Sequence, residues 1–477
     1  MTNHKGALAS ENSNEGTKSS KGKTVNPIVI LMGILFLAML LTYVIDSGSF
    51  ERNGRLVVPG SYSGLEKDAS IMGVLGLPQV AQEGEAHPVG VVGTLLTIPK
   101  GLEKGAGLIF MVLIIGGMFG ILTQTGAIDA GLDRLLALVR GNIYILVSCL
   151  MLVFSAGSTF LGLASEYILL IPVMAAMVGR MGMPPIIGLA IVTVAVKIGY
   201  LTSVTNPIPL TIAQPLVGLQ IFSGADVRFV FYLVFLVVGI GFMLKVVSKY
   251  AIDREMSALA EAEPLGLRHT IILIMLAAGV GFLVYASNRW QWHHDALSAY
   301  YIGLCISLSV VSGLGASAAA SAFVEGMKKV LMASFLIGVA TAVSIVLAEG
   351  QVLDTVVYSL TSMIDGGGPI LAAQGMFLSQ LLLDFLIPST SGQAAVSMPI
   401  LGPIGQLTGV PQQTTVLAFL FGNGLTNMIT PTSGTLLAYL ATAQVGWGEW
   451  AKFIFPLWLI FSGVAMALLT ISVMIGY

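Results

Sequence analysis

The run Asp384-Phe385-Leu386-Ile387-Pro388-Ser389-Thr390-Ser391-Gly392-Gln393 opens the longest uncharged stretch of the chain. From Asp384 to Glu449 lie 64 residues, none of them Asp, Glu, Lys, Arg or His. A spanning helix needs about 20 residues, so the stretch is too long for one. It is also too polar for two plain helices, because it contains Asn423, Asn427 and Thr430-Pro431-Thr432-Ser433-Gly434. Pro and Gly interrupt helices, and irregular backbone at membrane depth is tolerated only where it is buried in protein or lines a watery cavity. Hydroxyls and amides beside such breaks can hold an ion or a substrate carboxylate. The candidate binding residues here are Ser389, Thr390, Ser391, Asn423, Asn427, Thr430, Thr432 and Ser433. Small hydroxyl residues also line ordinary helix contacts in membranes, but breaks and amides coincide twice, which favours a binding site.

An earlier segment repeats the pattern. A shift of 227 residues, the distance from Pro172 to Pro399, places two helix-start prolines on each other. The same shift sets Gly182-Met183-Pro184 on Gly409-Val410-Pro411, and Ser203-Val204-Thr205-Asn206-Pro207 on Thr430 to Gly434. Ser203, Thr205 and Asn206 join the candidates, and sodium is a possible ligand at the Asn206 and Asn427 breaks. The span near Gly107–Gln124 enters from outside, whereas its counterpart near Val330–Ala348 starts beside Lys328 and Lys329, read as a cytoplasmic loop. The two copies are therefore expected to be inverted, with broken helices meeting at mid-membrane as in secondary transporters.

The rest of the chain supports a membrane setting. Of 477 residues 56% are hydrophobic and 10% charged, against about 25% charged in soluble domains. A soluble protein is excluded. With 22 basic and 24 acidic residues there is no basic face for nucleic acid. Uncharged runs such as Ile28–Ile45, Gly105–Ile128 and Phe453–Tyr477 bring the count to about 10–12 spans. The expected organisation is a disordered cytoplasmic tail over 1–26, a first transmembrane helix over 27–46, and an extracytoplasmic segment over 47–104. Repeat 1 follows over 105–250, a cytoplasmic loop with linking helices over 251–326, and repeat 2 over 327–477. Each repeat carries a hairpin and a broken helix. Lys18, Lys21 and Lys23 hold the N-terminus in the cytoplasm. The loop from Glu349 to Asp365, with no basic residue, faces outward, and Trp447 and Trp450 beside Lys452 read as an interfacial aromatic belt.

An ionisable group at depth costs about 2.5–3.5 kcal/mol on insertion scales, so each needs a reason. Asp384 precedes the second break, Glu166 lies in the matching region of the first repeat with Gln393 as its repeat mate, and Lys197 stands six residues before the first break. All three are candidates for coupling or charge balance: Asp384 as proton carrier or sodium partner, Lys197 as an attractor of anions or a neutraliser of Glu166 or Asp384.

Asp384 to Ala395, together with Gly422-Asn423-Gly424-Leu425-Thr426-Asn427-Met428-Ile429-Thr430-Pro431-Thr432-Ser433-Gly434, resembles the YfcC/DcuC-type anaerobic C4-dicarboxylate carriers of the ion transporter superfamily. The resemblance implies an all-α polytopic fold with inverted repeats, two re-entrant hairpins, a scaffold that dimerises and an elevator-like transport part, in the cell inner membrane. Relatives carry Ser-Asn-Thr tripeptides at their hairpin tips. Here the equivalents are Ser389-Thr390-Ser391, Thr205-Asn206-Pro207 and Thr432-Ser433-Gly434. Members of this subgroup are also assigned to amino-acid exchange.

The expected function is secondary transport of a small carboxylate-bearing metabolite, a C4-dicarboxylate or an amino acid, by alternating access. The driving force is sodium, protons or exchange, with no other cofactor; partners are the anionic or zwitterionic substrate, the lipid bilayer and a second copy of the chain. No Gly-x4-Gly-Lys-Ser/Thr loop is present, so ATP does not drive it. A channel is the alternative. An intramembrane hydrolase is disfavoured: Gly315-Ala316-Ser317-Ala318 could pass for a nucleophile site, but no histidine lies deep in a span and no His-Glu-x-x-His occurs.

Overall fold

The computed structural model describes residues 27–54, 56–67, 85–128, 130, 131, 134, 142–251, 266–290, 292–364 and 367–477. The N-terminal tail, the middle of the external segment and most of the mid-chain loop lie outside the described residues. Among these, eight helices are long and apolar enough to cross a membrane, and the chain is an all-α polytopic membrane protein.

The helices are α1 (Pro27–Val44), α2 (Val91–Lys104), α3 (Ala106–Thr125), α4 (Ile143–Leu161), α5 (Ile171–Arg180), α6 (Pro185–Thr202), α7 (Pro207–Leu216), α8 (Ala225–Ala251), α9 (Leu267–Trp290) and α10 (His294–Ser312). Then follow α11 (Ala316–Glu349), α12 (Leu353–Ser362), α13 (Pro369–Leu386), α14 (Thr390–Thr408), α15 (Gln412–Thr426), α16 (Gly434–Ala443) and α17 (Trp447–Met474). Short polar side chains start several of them. Asn142 accepts from the amides of Tyr144 and Ile145, Asn206 from Ile208, Ser389 from Gly392 and Ser433 from Leu436. Such caps satisfy amides that a helix start leaves unpaired.

The 227-residue shift aligns whole elements. It carries the start of α6 onto that of α15, both entered through an extended proline, Pro184 and Pro411. It carries α7 onto α16 end to end, and the cap Asn206 onto the cap Ser433. Gly182 and Gly409, also equivalent, share positive φ angles of 75° and 76°. Packing follows suit: α4, α6 and α8 contact one another in the first block as α13, α15 and α17 do in the second. The blocks interlock, because α7 lies on α14 and α16 on α5.

Three sequence expectations need correction. Pro399 does not start a helix. It lies with Pro403 inside α14, whereas the first block has a 3-10 segment, Ser165–Leu170, before Pro172 begins α5. Proline is tolerated inside a membrane helix when neighbours re-satisfy the freed backbone groups. Lys328 and Lys329 are in no loop, since α11 runs unbroken from Ala316 to Glu349. At 34 residues it is about 51 Å long, which exceeds the hydrocarbon core of about 30 Å and lets both lysines sit on an extension of the helix. Trp450 is no belt residue, being fully buried. Its indole donates to Met428 O at 2.9 Å, while Trp447 donates to Ile429 O at 2.8 Å and Trp458 to Leu425 O at 3.1 Å. Met428 and Ile429 lie just beyond the end of α15, so the indoles of Trp450 and Trp447 satisfy backbone acceptors that a broken helix leaves behind, while Leu425 O also accepts from the Met428 amide at 3.2 Å.

The two segments read as outward-facing meet on one side of the molecule. Arg52 pairs with Asp354 at 2.7 Å, Asp354 also accepts from the Phe50 amide at 3.0 Å, and Lys100 pairs with Glu349 at 2.6 Å. Tyr62 stacks on Tyr358 with centroids 4.1 Å apart.

Trp450→Phe is expected to lower the stability of the detergent-solubilised protein by about 1–3 kcal/mol, the cost of an unpaired buried acceptor. Trp458→Phe, at a half-buried position, is expected to cost less; thermal unfolding of both variants checks the order.

Candidate functional site

The side chains at the ends of α13 and α15 converge on Asp384, which is fully buried. Its Oδ1 accepts from Asn423 Nδ2 at 2.6 Å and from Asn427 Nδ2 at 2.8 Å. Its Oδ2, also buried, has no hydrogen-bond partner among the described residues. Asn427 is held further by its bond to Asn423 O at 3.2 Å. A buried carboxylate is costly unless bonded and balanced, and here half of its acceptor capacity is left open.

Local sequence explains how Asn423 reaches this position. A side chain at Gly422 would meet Gln380 Cβ at 2.6 Å and the Leu381 amide at 2.7 Å, and one at Gly424 would meet the Tyr200 ring at 2.8 Å. The two glycines let α15 lie close against α13 on one side and α6 on the other, with Asn423 wedged between. Asn423 Nδ2 also donates to Gln393 Oε1 at 2.7 Å, while its Oδ1 accepts from the Tyr200 hydroxyl and, at 3.4 Å, from Thr390. The chain continues from Gln393 Nε2 to Gln380 Oε1 at 2.9 Å, which also accepts from Ser397 at 2.8 Å.

From the first block α6 contributes Lys197 and Tyr200. The Lys197 ammonium stands 5.7 Å from the Tyr200 ring centroid and within electrostatic reach of Asp384. Tyr200 lies 2.8 Å from the Thr390 hydroxyl. One half-buried cation and one fully buried carboxylate, from different blocks, thus lie near each other.

Of the residues singled out in the sequence, the structure brings together Asp384, Asn423, Asn427, Thr390 and Lys197. Ser389 and Ser391 are exposed, and Ser389 serves as the cap of α14. Thr430 and Thr432 bond each other at 2.7 Å, Thr432 donates to Phe385 O at 3.1 Å, and Ser433 caps α16. At the first break Ser203 takes a left-handed conformation, φ 41°, and its hydroxyl donates to Tyr200 O. Thr205 donates to Phe160 O at 3.1 Å and Asn206 caps α7. Glu166 stands apart from the Asp384 cluster, accepting from the Ala164 amide at 3.0 Å; Tyr439 donates to Ala164 O at 2.7 Å. Sequence reasoning missed Tyr200, Gln380 and Ser397. Helical spacing offered a signal for two of them: Gln380 lies one turn before Asp384, and Tyr200 three residues after Lys197.

Known proteins resemble this chain along nearly all its length. The Escherichia coli (strain K12) "Putative basic amino acid antiporter YfcC" is 29% identical over 462 residues, which cover 89% of this chain and 91% of that protein. A Haemophilus influenzae protein is 24% identical, covering 92% of this chain and 95% of its own. Among solved structures, the Alcanivorax borkumensis YdaH transporter aligns with 94% of this chain and 99% of its own at 15% identity and a TM-score of 0.40. Neisseria gonorrhoeae MtrF aligns with 94% of this chain and 95% of its own at 16% identity and a TM-score of 0.40. The model of the DcuC family, C4-dicarboxylate anaerobic carriers, matches residues 26–474, and the chain belongs to that family.

Proposed function

We propose that the protein is a secondary active carrier, a symporter or exchanger, that moves a small carboxylate-bearing metabolite by alternating access and couples it to a cation or a counter-substrate. The observation that carries this reading is Asp384: a fully buried carboxylate with one oxygen bonded to two amides and the other open, where the two blocks cross. Intramembrane carboxylates without a full complement of partners mark ion and proton routes. The family description supports a C4-dicarboxylate as substrate and the name of the Escherichia coli relative an amino acid; both carry a carboxylate for Lys197 and the half-helix starts to attract.

Equivalent elements in 227-residue register support two repeats, which we read as inverted across the membrane. In this reading the interlocked hairpins and broken helices move against a scaffold containing α3 and α11, as in an elevator. The scaffold pairs two copies in the inner membrane, with the N-terminus in the cytoplasm. Ser203, Thr205, Asn206, Thr430, Thr432 and Ser433 shape the two breaks around the substrate.

Purified protein in proteoliposomes is expected to take up radiolabelled succinate or L-arginine saturably, faster when unlabelled substrate is trapped inside. Flux that never saturates and ignores the trans substrate would mean a channel. Asn427→Ala is expected to reduce transport by about 10- to 150-fold at normal membrane abundance, the range for a lost hydrogen bond to a charged group; normal uptake would displace the site. Asp384→Asn is expected to abolish dependence on the driving cation gradient while substrate exchange persists, and unchanged gradient dependence would make Asp384 structural.

A further inference from the structure

We propose that the coupling cation is a proton carried on Asp384 and that neither helix break binds sodium. This deepens the carrier reading and rests on it for the word coupling, though not for the chemistry at Asp384.

A hard cation binds through several oxygen lone pairs. Asp384 is faced instead by donors. Both asparagines present their Nδ2 groups to Oδ1. The Asn423 amide is oriented by its surroundings as a whole, with two acceptors on its nitrogen side and two hydroxyls on its oxygen side. That leaves no second oxygen turned toward the carboxylate by Asn423, and the Lys197 ammonium adds positive charge that a sodium ion would have to approach. A proton needs none of those ligands. It needs one open lone pair on a buried carboxylate, and Oδ2 supplies it.

At both breaks several oxygens that could ligate sodium are already engaged by fixed donors. At the second break the carbonyls of Leu425, Met428 and Ile429 accept from three tryptophan indoles, and the Thr430 and Thr432 hydroxyls are bonded to each other and to Phe385 O. At the first break Val204 O accepts from the buried guanidinium of Arg228 at 3.2 Å, so a fixed cation already sits where a mobile one would have to bind. Asn206 Oδ1 accepts from the Ile208 amide and the Thr205 hydroxyl donates to Phe160 O.

The titratable and charged groups around Asp384 are few. α6 brings Lys197 and Tyr200. α14, α15 and α17 bring amides, hydroxyls and the Trp458 indole. The Asp354 carboxylate of α12 is engaged by Arg52 and the Phe50 amide. A proton from the aqueous phase that forms the Oδ2–H bond removes the negative charge facing Lys197. The ammonium is then free to meet a substrate carboxylate, so proton and carboxylate binding favour each other.

The test is infrared difference spectroscopy of the purified full-length chain between acid and alkaline buffers, with melting temperatures measured in sodium chloride and in choline chloride. A carboxylic-acid band that is absent in Asp384→Asn and kept in Glu166→Gln is expected, with equal melting temperatures in the two salts. A band that survives Asp384→Asn, or a rise in melting temperature specific to sodium, would overturn the proposal. Should Asp384→Asn fail to fold, Asp384→Glu must shift the band in position or midpoint; an unmoved band overturns the proposal as well. A chain whose Asp384 titrates in this way but moves neither succinate nor L-arginine would keep this inference and lose the carrier reading. Saturable uptake driven by sodium would do the reverse.

Discussion

A peptide carbonyl left unpaired in hydrocarbon costs several kcal/mol, and this protein interrupts two of its most deeply buried helices, α6 and α15. The structure around those interruptions is organised by that cost. Three indoles of α17 reach back to the frayed end of α15. The Arg228 guanidinium of α8 reaches the carbonyl of Val204 beyond α6. Asn206 and Ser433 start the next half-helices with side-chain caps. Helices equivalent by the 227-residue register, α8 and α17, thus do equivalent work with different chemistry.

That departure from symmetry gives the centre its polarity. Asp384 has Gly157 as its counterpart, where a side chain would lie 1.9 Å from the Tyr167 hydroxyl. Lys197 corresponds to Gly424, Tyr200 to Asn427 and Glu166 to Gln393. The cation and the carboxylate of the central cluster therefore come from non-equivalent positions, each matched by a glycine at the equivalent position of the other block. Two equal carboxylates at such a crossing would repel one another in a low dielectric; one carboxylate, one ammonium and a set of amides form a nearly neutral cluster.

Much of this was legible before any coordinates. The 227-residue register, both breaks and the buried polar positions Asp384, Asn423 and Asn427 follow from where charge is missing and where Pro, Gly and amides gather, because insertion in a membrane punishes each of those features unless it has a use. Less legible was the fate of the tryptophans. Trp450 beside Lys452 reads as a headgroup anchor by composition, and only packing shows that its indole caps a buried carbonyl. The lysine pair at 328 and 329 misled for a related reason: positive charge marks a side of the membrane, but it does not say whether the backbone there is loop or helix.

Composition and the spacing of polar residues alone determined that the chain is a polytopic membrane protein and where its polar helix breaks fall. Hydrocarbon admits few exceptions to local rules, so those rules can be read residue by residue. Which polar groups meet was decided only by tertiary structure. Tyr200 and Thr390, 190 residues apart, share a hydrogen bond because Gly422 and Gly424 let three helices approach, and Ser389 and Ser391, equally polar in sequence, face away. Contact between distant segments depends on close packing, and packing has no local signature.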